Sequence, residues 1–154
     1  MRIETTKVDL CVGEGGISRD VQVAPYRLLR LTIRSGDTVD GISFIYIGSD
    51  GLAHHEGMWG GIGGKEHLIQ LGLMDYVKEI SGTAGPFHGQ HVIRTLKIVT
   101  LKRTYGPYGD PGDGDGARDR VSFHYSVKGS DRITGFFGRS ADYMNSIGLY
   151  IRRC

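Results

Sequence analysis

Glycine-rich segments at three places along the chain are the feature that most limits how it can fold. Residues 59–64 contain four glycines among six positions, and related segments occur at residues 13–16 and 106–109. So many glycines destabilise a helix and the interior of a strand. They suit loops with positive φ angles, or loops on whose peptide groups a ligand lies. Because the copies are evenly spaced, they indicate an internally repeated architecture.

The stretches between these segments have the patterns of β-strands. Residues 29–34 alternate apolar and polar side chains, and residues 42–47 are rich in β-branched and aromatic ones. The same signals predict strands at residues 8–12, 20–23, 52–58, 67–71, 76–81, 92–100, 121–127, 133–137 and 147–151, with loops at 82–89 and 106–116. No segment is predicted to be helical. About a dozen regularly spaced strands are typical of a barrel, a sandwich or a prism.

The strands also repeat as a unit made of a strand, a glycine-bearing loop and a second strand. The units pair residues 31–33 with 42–44, residues 78–80 with 96–98, and residues 132–134 with 147–149. A single four-stranded sheet cannot bury its apolar face alone, so three such sheets are expected to share one core. The prediction is therefore an all-β fold of three four-stranded antiparallel sheets with pseudo-threefold symmetry.

Size and composition fit one globular domain over residues 1–154, with 39% hydrophobic and 23% charged residues. No apolar run approaches the roughly 20 residues of a membrane span, and no secretory signal is expected. A formal net charge of +2 with scattered basic residues argues against nucleic acid as a partner. The two cysteines, Cys11 and Cys154, are too few for a disulfide framework, so free thiols are expected.

Two segments of the sequence match nucleotide-binding motifs only in part. Gly64 and Lys65 do not complete a phosphate loop, because the required earlier glycine is Trp59 and the required Ser or Thr is Glu66. Residues 13–15 lack the third glycine and the following helix of a dinucleotide site. We therefore expect no nucleotide cofactor, and no other cofactor is indicated.

Metal and catalytic motifs are equally incomplete. Four acids resemble calcium ligands, but the remaining loop positions do not fit: Asp110, Asp113, Asp115 and Asp119. His54 and His55 are neighbours on a predicted strand, so they point to opposite faces and do not share an ion readily. No nucleophile motif or distinct pair of carboxylates is present, so neither a metal site nor an enzyme is predicted.

Residues 36–40 form the most informative polar constellation in the chain. A tight Gly-x-x-x-Asp turn directs successive backbone N–H groups inward, and the final carboxylate accepts from the same point. A sugar diol suits this arrangement, since its hydroxyls can donate to Asp40 and accept from the N–H groups. The residues themselves leave a second interpretation open, in which Gly36 and Asp37 make a hairpin turn that Asp40 caps.

Several of these segments together resemble the jacalin-related lectins, and among them the mannose-binding type of monocot plants. The resemblance covers nearly the whole chain, and its most specific part is residues 135–140 followed by residues 147–150. It extends to residues 13–16, 59–64, 80–83, 96–100 and 105–109. It implies a β-prism, in agreement with the repeat, and reversible, non-catalytic binding of mannose- or glucose-type sugars.

The resemblance implies a main sugar site where the N-terminal glycine loop meets a Gly-x-x-x-Asp loop. The residues carried over to it are Gly16, Asp142, Tyr143 and Asn145. Here the chain departs from the pattern, because Ala141 stands for the glycine and Asn145 for the aspartate. Asparagine keeps one acceptor but loses the charge, so this site is expected to be weakened or altered.

Some members carry a second site, and its pattern is intact in this chain. Its residues are Gly36, Asp37, Thr38, Asp40, Gly63 and Gly64. We predict that it is the better of the two pockets. The remaining repeat, with residues 78–80 and 96–98, offers residues 82–86, which contain no carboxylate, and is expected to bind no sugar.

The remaining expectations concern biology. Galactose binding in this family accompanies a chain cut at the first glycine loop, and this chain is continuous there, so mannose or glucose is preferred. Mannose-type glycans or glycoproteins are the expected partners, a homodimer is among the expected assemblies, and the location is cytoplasmic or nuclear. The alternative function is a prism-fold protein-interaction module with weakened or lost sugar binding.

Overall fold

The computed structural model describes residues 4–112 and 118–153, which form twelve β-strands and contain no helix. The strands are β1 (Glu4–Cys11), β2 (Ile17–Arg19), β3 (Pro25–Ser35), β4 (Val39–Gly48), β5 (Ala53–Gly60), β6 (Lys65–Gln70), β7 (Val77–Phe87), β8 (Gln90–Thr100), β9 (Thr104–Gly109), β10 (Val121–Ser126), β11 (Arg132–Ser140) and β12 (Met144–Arg153). The prediction of an all-β chain is confirmed. Since these residues include no helix, none of them forms a helical membrane span.

All strand pairs are antiparallel, and they fall into three groups of four. One sheet has the order β5-β4-β3-β6. The other eight strands share one hydrogen-bonded sheet, in which the groups β1-β12-β11-β2 and β9-β8-β7-β10 meet through the pairing of Ile133 with Val77. In each group the two central strands are consecutive in sequence and longer than the flanking ones. These central hairpins, β3–β4, β7–β8 and β11–β12, contain the three repeat units predicted above.

The core lies where the central hairpins of the three groups face one another. Period-two alternation sends one set of side chains inward, and Ile33, Ile80 and Leu149 are completely buried examples, one from each group. Phe44 occupies the middle of this core, with its ring centroid 5.2 Å from those of both Trp59 and Phe136 in edge-to-face geometry. The shared core therefore joins strands that are far apart in sequence.

The strand expected at residues 20–23 is wrong. The strand of this region lies earlier, at Ile17–Arg19, and pairs with β11. The carboxylate of Asp20 accepts a hydrogen bond from the backbone N–H of Val21 at 2.8 Å and pairs with Lys7 at 2.6 Å. A short polar side chain that accepts from the backbone N–H of the next residue in this way competes with a strand ladder, which is why pairing ends here.

The loop expected at residues 82–89 is also wrong. Strand β7 continues to Phe87, and the turn to β8 is made by His88 and Gly89 alone, both with positive φ. Such a two-residue turn matches the twist of a hairpin. Gly82 lies inside the strand. Glycine is required at this position because a Cβ would come within 2.1 Å of the carbonyl oxygen of Thr95.

Smaller corrections concern the other glycine segments. Residues 106–109 end strand β9 rather than beginning a loop, and Trp59 and Gly60 end strand β5. Cys11 is a half-buried free thiol, whereas Cys154 lies outside the described residues. Two of the four acids considered as calcium ligands, Asp113 and Asp115, lie outside them as well.

Candidate functional site

Four connections meet around one shallow depression of about 370 Å³. They are the β3–β4 loop, the β5–β6 loop, the β7–β8 turn and the β11–β12 loop. The depression is lined by Gly36, Asp37, Thr38, Asp40, Gly64, Phe87, His88 and Tyr143. Five of these eight residues belong to the second site predicted from the sequence, so the structure brings that set together.

The carboxylate of Asp40 lies directly against the glycine loop. A Cβ added to Gly64 would be 2.8 Å from Asp40 Oδ2, and one added to Gly63 would be 3.4 Å from Asp40 Oδ1. At Gly64 only glycine leaves room for so close an approach of backbone and carboxylate. Burial raises the pKa of Asp40 above its ordinary value, and the nearby charge of Arg34 opposes that rise.

Arg34 holds the glycine loop in place. Its Nε donates to the carbonyl oxygens of Ile62 and Gly63 at 3.0 and 3.2 Å, and its Nη2 donates to that of Gly64 at 3.1 Å. One planar guanidinium thus fixes three successive carbonyls, for which its fork of donors is suited. Arg34 is not among the site residues predicted from the sequence.

The β3–β4 loop is held by a hydrogen bond of its own and by two hydrogen bonds to residues of strand β8. The N–H of Gly36 donates to the carbonyl of Thr38 at 3.0 Å, so the turn's own hydrogen bond does not use the N–H groups of Asp37 and Thr38. The buried hydroxyl of Thr38 donates to the carbonyl of Ile93 in β8 at 2.7 Å. Arg94 Nη2 donates to the carbonyl of Asp37 at 3.2 Å. The loop therefore has a defined position before any ligand arrives.

The residues predicted for the main site are built on the same plan. Arg139 donates from Nε to the carbonyl of Gly15 at 3.0 Å and from Nη2 to that of Gly16 at 2.9 Å. A Cβ added to Gly16 would lie 2.6 Å from Oδ1 of Asn145. Gly16 and Asn145 are therefore in close approach, and Arg139 corresponds to Arg34.

The side chain of Asn145 differs from that of Asp40 in its deeper burial and in a hydrogen bond of its own within the protein. It is completely buried, and its Nδ2 donates to the carbonyl of His91 at 2.9 Å. Asp142 is exposed, and its carbonyl oxygen would be 2.4 Å from a Cβ on Gly61. Tyr143 belongs to the same loop but lines the depression beside Asp40. The four residues carried over to the main site are thus divided between two places.

A signal for the two missed arginines was present in the sequence. Residues 34–40 and 139–145 both begin with Arg-Ser and both carry Asp at the fourth position. Their final positions are Asp40 and Asn145. Aligning the two loops on each other would have identified Arg34 and Arg139 as equivalent residues.

Metal binding finds no support in the part of the chain that the structure describes. There, no three side chains of His, Cys, Asp or Glu lie close enough to hold an ion.

With this geometry established, residues 8–150 match the jacalin-like lectin domain family. The chain belongs to this family. A curated member, horcolin of barley (Hordeum vulgare), is 43% identical over 143 residues, which cover 90% of this chain and 91% of horcolin. The mannose/glucose-specific lectin of Parkia pendula is 30% identical over 127 residues, covering 79% of this chain and 26% of that protein.

Solved jacalin-related structures have the same fold. A mannose-binding jacalin-related lectin from Ananas comosus superposes with a TM-score of 0.84 at 32% identity, covering 96% of each chain. Malaysian banana lectin superposes with a TM-score of 0.82 at 30% identity, covering 96% of this chain and 98% of that one. Family membership confirms the resemblance read from the sequence, and with it a non-catalytic carbohydrate-binding protein.

Asn145→Ala is expected to destabilise this jacalin-like domain by about 1–3 kcal/mol, because the part-buried carbonyl of His91 loses its donor. Thermal unfolding followed by circular dichroism would measure the change. Asp142→Ala, in the same loop but exposed, is the matched control and should leave the melting temperature unchanged. Equal melting temperatures for Asn145→Ala and the wild type would contradict a role for this hydrogen bond in stability.

Proposed function

We propose that the protein binds mannose- or glucose-type sugars reversibly. We further propose that the depression around residues 36–40 and 63–64 binds them more tightly than the site at Gly16 and Asn145. The observation that carries the proposal is the convergence of the Asp40 carboxylate with the backbone of Gly63 and Gly64 in one concavity. Relatives and structural neighbours whose names include mannose support the choice of sugar.

The chemistry follows from the groups that face the depression. Two hydroxyls of a hexose donate to the ionised carboxylate of Asp40 and accept from the N–H groups of Asp37 and Thr38. Because Gly64 has no side chain, the sugar lies on the backbone. Tyr143 and Phe87 offer apolar surface to the ring at the edge of the depression.

The site at Gly16 and Asn145 is proposed to be weaker. Asn145 is completely buried and its Nδ2 donates to a backbone carbonyl, so only the neutral Oδ1, which has no partner within the protein, is left for a ligand, whereas Asp40 offers a charged carboxylate. This internal use of Asn145 also favours the second candidate function, an interaction module that keeps the fold without binding sugar. The intact loop at residues 36–40 favours the lectin.

The finer architecture is proposed as a β-prism, with the three four-stranded groups arranged about a pseudo-threefold axis. The recurrence of one long central hairpin in every group and the shared core support it. The proposed partners are mannose-type glycans or glycoproteins and a second copy of the chain, with neither nucleic acid nor a membrane among them. A cytoplasmic or nuclear location is proposed by analogy with the members that the sequence resembles.

Calorimetric titration with methyl α-mannoside and methyl α-galactoside tests the proposal. The mannoside should give saturable heat and the galactoside none. Asn145→Ala should keep the heat, since the proposed pocket does not depend on it. A wild-type protein that gives no heat with any mannoside would favour the interaction module instead.

Sugar affinity is expected to fall on acidification while the domain remains folded. Burial raises the pKa of Asp40, so this carboxylate takes up a proton at a higher pH than an ordinary Asp near 3.9. Protonation removes the charged acceptor from the pocket and weakens binding. The same raised pKa means that Asp40 stabilises the fold at low pH, and that this contribution is lost as pH rises through the folded-state pKa.

The measurement is a series of mannoside titrations from pH 7 to pH 4, with circular dichroism at each pH to follow folding. The midpoint of the decline in affinity should lie above about 3.9, the ordinary Asp value. A constant affinity over this range in a folded protein would show that the ionisation of Asp40 does not contribute to binding.

A further inference from the structure

The end of the domain opposite the sugar depression is formed by the β6–β7, β8–β9 and β10–β11 connections, the start of β3 and the end of β12. The strand register places the three connections there, because β6, β8 and β10 all begin at the end where the depression lies. We call this surface the basic end, and its basic side chains are Arg27, Lys102, Arg103, Lys128, Arg132 and Arg152.

The two carboxylates of these three connections are already engaged within the protein. Asp75 is buried and accepts one hydroxyl and two backbone N–H hydrogen bonds at 3.0 to 3.2 Å. Asp131 pairs with Arg153 at 3.1 Å, and Glu4 lies beside the same arginine in the strand register. The positive charge of the basic end is therefore available to an anionic partner.

Two of the arginines lie side by side and are held on tyrosine rings. Arg132 and Arg152 are directly opposite each other on β11 and β12. Their guanidinium carbons lie 4.5 Å from the ring centroid of Tyr76 and 4.2 Å from that of Tyr26, respectively. In the described part of the chain the buried Nε of each arginine has no hydrogen-bond partner. Like charges directly opposite each other destabilise a sheet, so an anion bound from outside would compensate this pair.

Exposed apolar side chains border these arginines. Leu73 and Met74 are 80% and 74% exposed, and Leu101 is 49% exposed. The N–H of Leu101 donates to the carbonyl of Tyr76 at 3.0 Å, which brings the β8–β9 connection beside the β6–β7 connection. Apolar groups exposed together indicate an interaction site. Aromatic residues, methionine and arginine are enriched where proteins bind one another, so the composition favours a protein partner.

We propose that the basic end docks an acidic segment of a partner protein. Carboxylates of the segment bind the arginines, and an apolar side chain packs on Leu73, Met74 and Leu101. A planar guanidinium suits this role because it binds a carboxylate through two parallel hydrogen bonds. The surface lies at the opposite end of the domain from the sugar depression. The inference therefore goes beyond the proposed function, and both partners can be bound at once.

The first experiment measures peptide binding by fluorescence anisotropy. The probe is a labelled peptide in which single leucines alternate with pairs of glutamates. The wild type should bind it saturably, and less tightly as the salt concentration rises. A peptide with glutamine for glutamate should bind at least roughly tenfold more weakly, since it lacks the charged acceptors. Vesicles with phosphatidylserine, or a DNA duplex, should not displace the peptide at equal charge concentration. Displacement by either overturns the assignment to a protein partner.

Variants of the basic end test its residues individually. Arg132→Gln should weaken peptide binding roughly tenfold, as expected for losing a charge-assisted pair, and Arg132→Lys should recover only part of that loss. Met74→Ser should weaken it roughly threefold through lost apolar contact. Lys65→Gln, the matched control, removes an exposed charge at the other end of the domain and should change binding less than about twofold. Normal peptide binding by Arg132→Gln overturns the proposal. Arg132→Gln and Met74→Ser should keep the wild-type melting temperature and mannoside affinity.

The second experiment locates the peptide by hydrogen exchange and mass spectrometry. The peptide should slow exchange at residues 71–77 and 101–104 and leave residues 36–40 unchanged. Protection at residues 36–40 instead overturns the location. A wild-type chain that binds mannoside but not the peptide overturns the docking surface alone. A chain that binds the peptide but no mannoside overturns the proposed function and leaves the docking surface standing.

Discussion

Asp40→Asn is expected to weaken binding of methyl α-mannoside tenfold to a hundredfold while the domain stays folded. Asparagine has nearly the same shape, but it replaces a charged acceptor with a neutral one, at a cost of about 1.5–3 kcal/mol in binding. Burial disfavours the charge of Asp40 in the folded state, as its raised pKa indicates. The neutral amide should therefore leave the melting temperature unchanged or slightly higher.

Calorimetry measures the affinity and thermal unfolding measures the stability of this variant. Asp142→Asn is the matched control, because it makes the same chemical change on an exposed carboxylate of the corresponding loop. It should bind as wild type. If Asp40→Asn bound normally while Asn145→Ala lost binding, the pocket at Gly16 would be the working one.

The polar loop of the candidate site could be predicted because its chemistry is local. Gly36 and Asp40 are four residues apart, and a tight turn alone brings their backbone and side-chain groups to one point. Arg34 could not be found in this way. It fixes carbonyls 28 to 30 residues along the chain, and such bonds to backbone leave no mark on the sequence of the acceptor.

The strands were predictable where buried and less buried side chains alternate, as at residues 42–47 of β4, because burial of one face imposes a period of two. The two failures have different physical causes. The Asp20 carboxylate accepts from the backbone N–H of Val21 and ends pairing early, which its residue type alone does not reveal. The glycines of β7 resemble loop residues, yet Gly82 is required by close approach to the neighbouring strand.

The aromatic wall of the depression was beyond sequence reasoning for a third reason. Phe87 lies in a segment expected to be a loop between residues 78–80 and 96–98 of another repeat, and nothing local connects it with Asp37. Their proximity depends on how the β7–β8 hairpin packs against the β3–β4 loop, through Arg94. The local motif identified one side of the pocket, whereas the opposite side is a property of the folded chain.

Gly64→Ala is expected to destabilise the domain by about 2–5 kcal/mol and to remove mannoside binding. Gly64 has φ +68°, a conformation that costs an alanine about 1–2 kcal/mol. The new Cβ would also lie 2.3 Å from the carbonyl oxygen of Ser35 and 2.8 Å from Oδ2 of Asp40. Backbone must move to relieve the first contact, at a further cost of about 1–3 kcal/mol. That movement separates the glycine loop from the carboxylate with which it forms the pocket.

Gly51→Ala isolates the steric part of this effect. Gly51 has a comparable φ of +80°, but no other atom lies within 4 Å of its added Cβ, so only the conformational cost applies. Chemical unfolding of both variants should place Gly64→Ala about 1–3 kcal/mol below Gly51→Ala in stability, and Gly51→Ala should keep full sugar affinity. If the two variants were equally stable and Gly64→Ala still bound mannoside, the carboxylate and the glycine backbone would not share the tight contact from which the pocket is inferred.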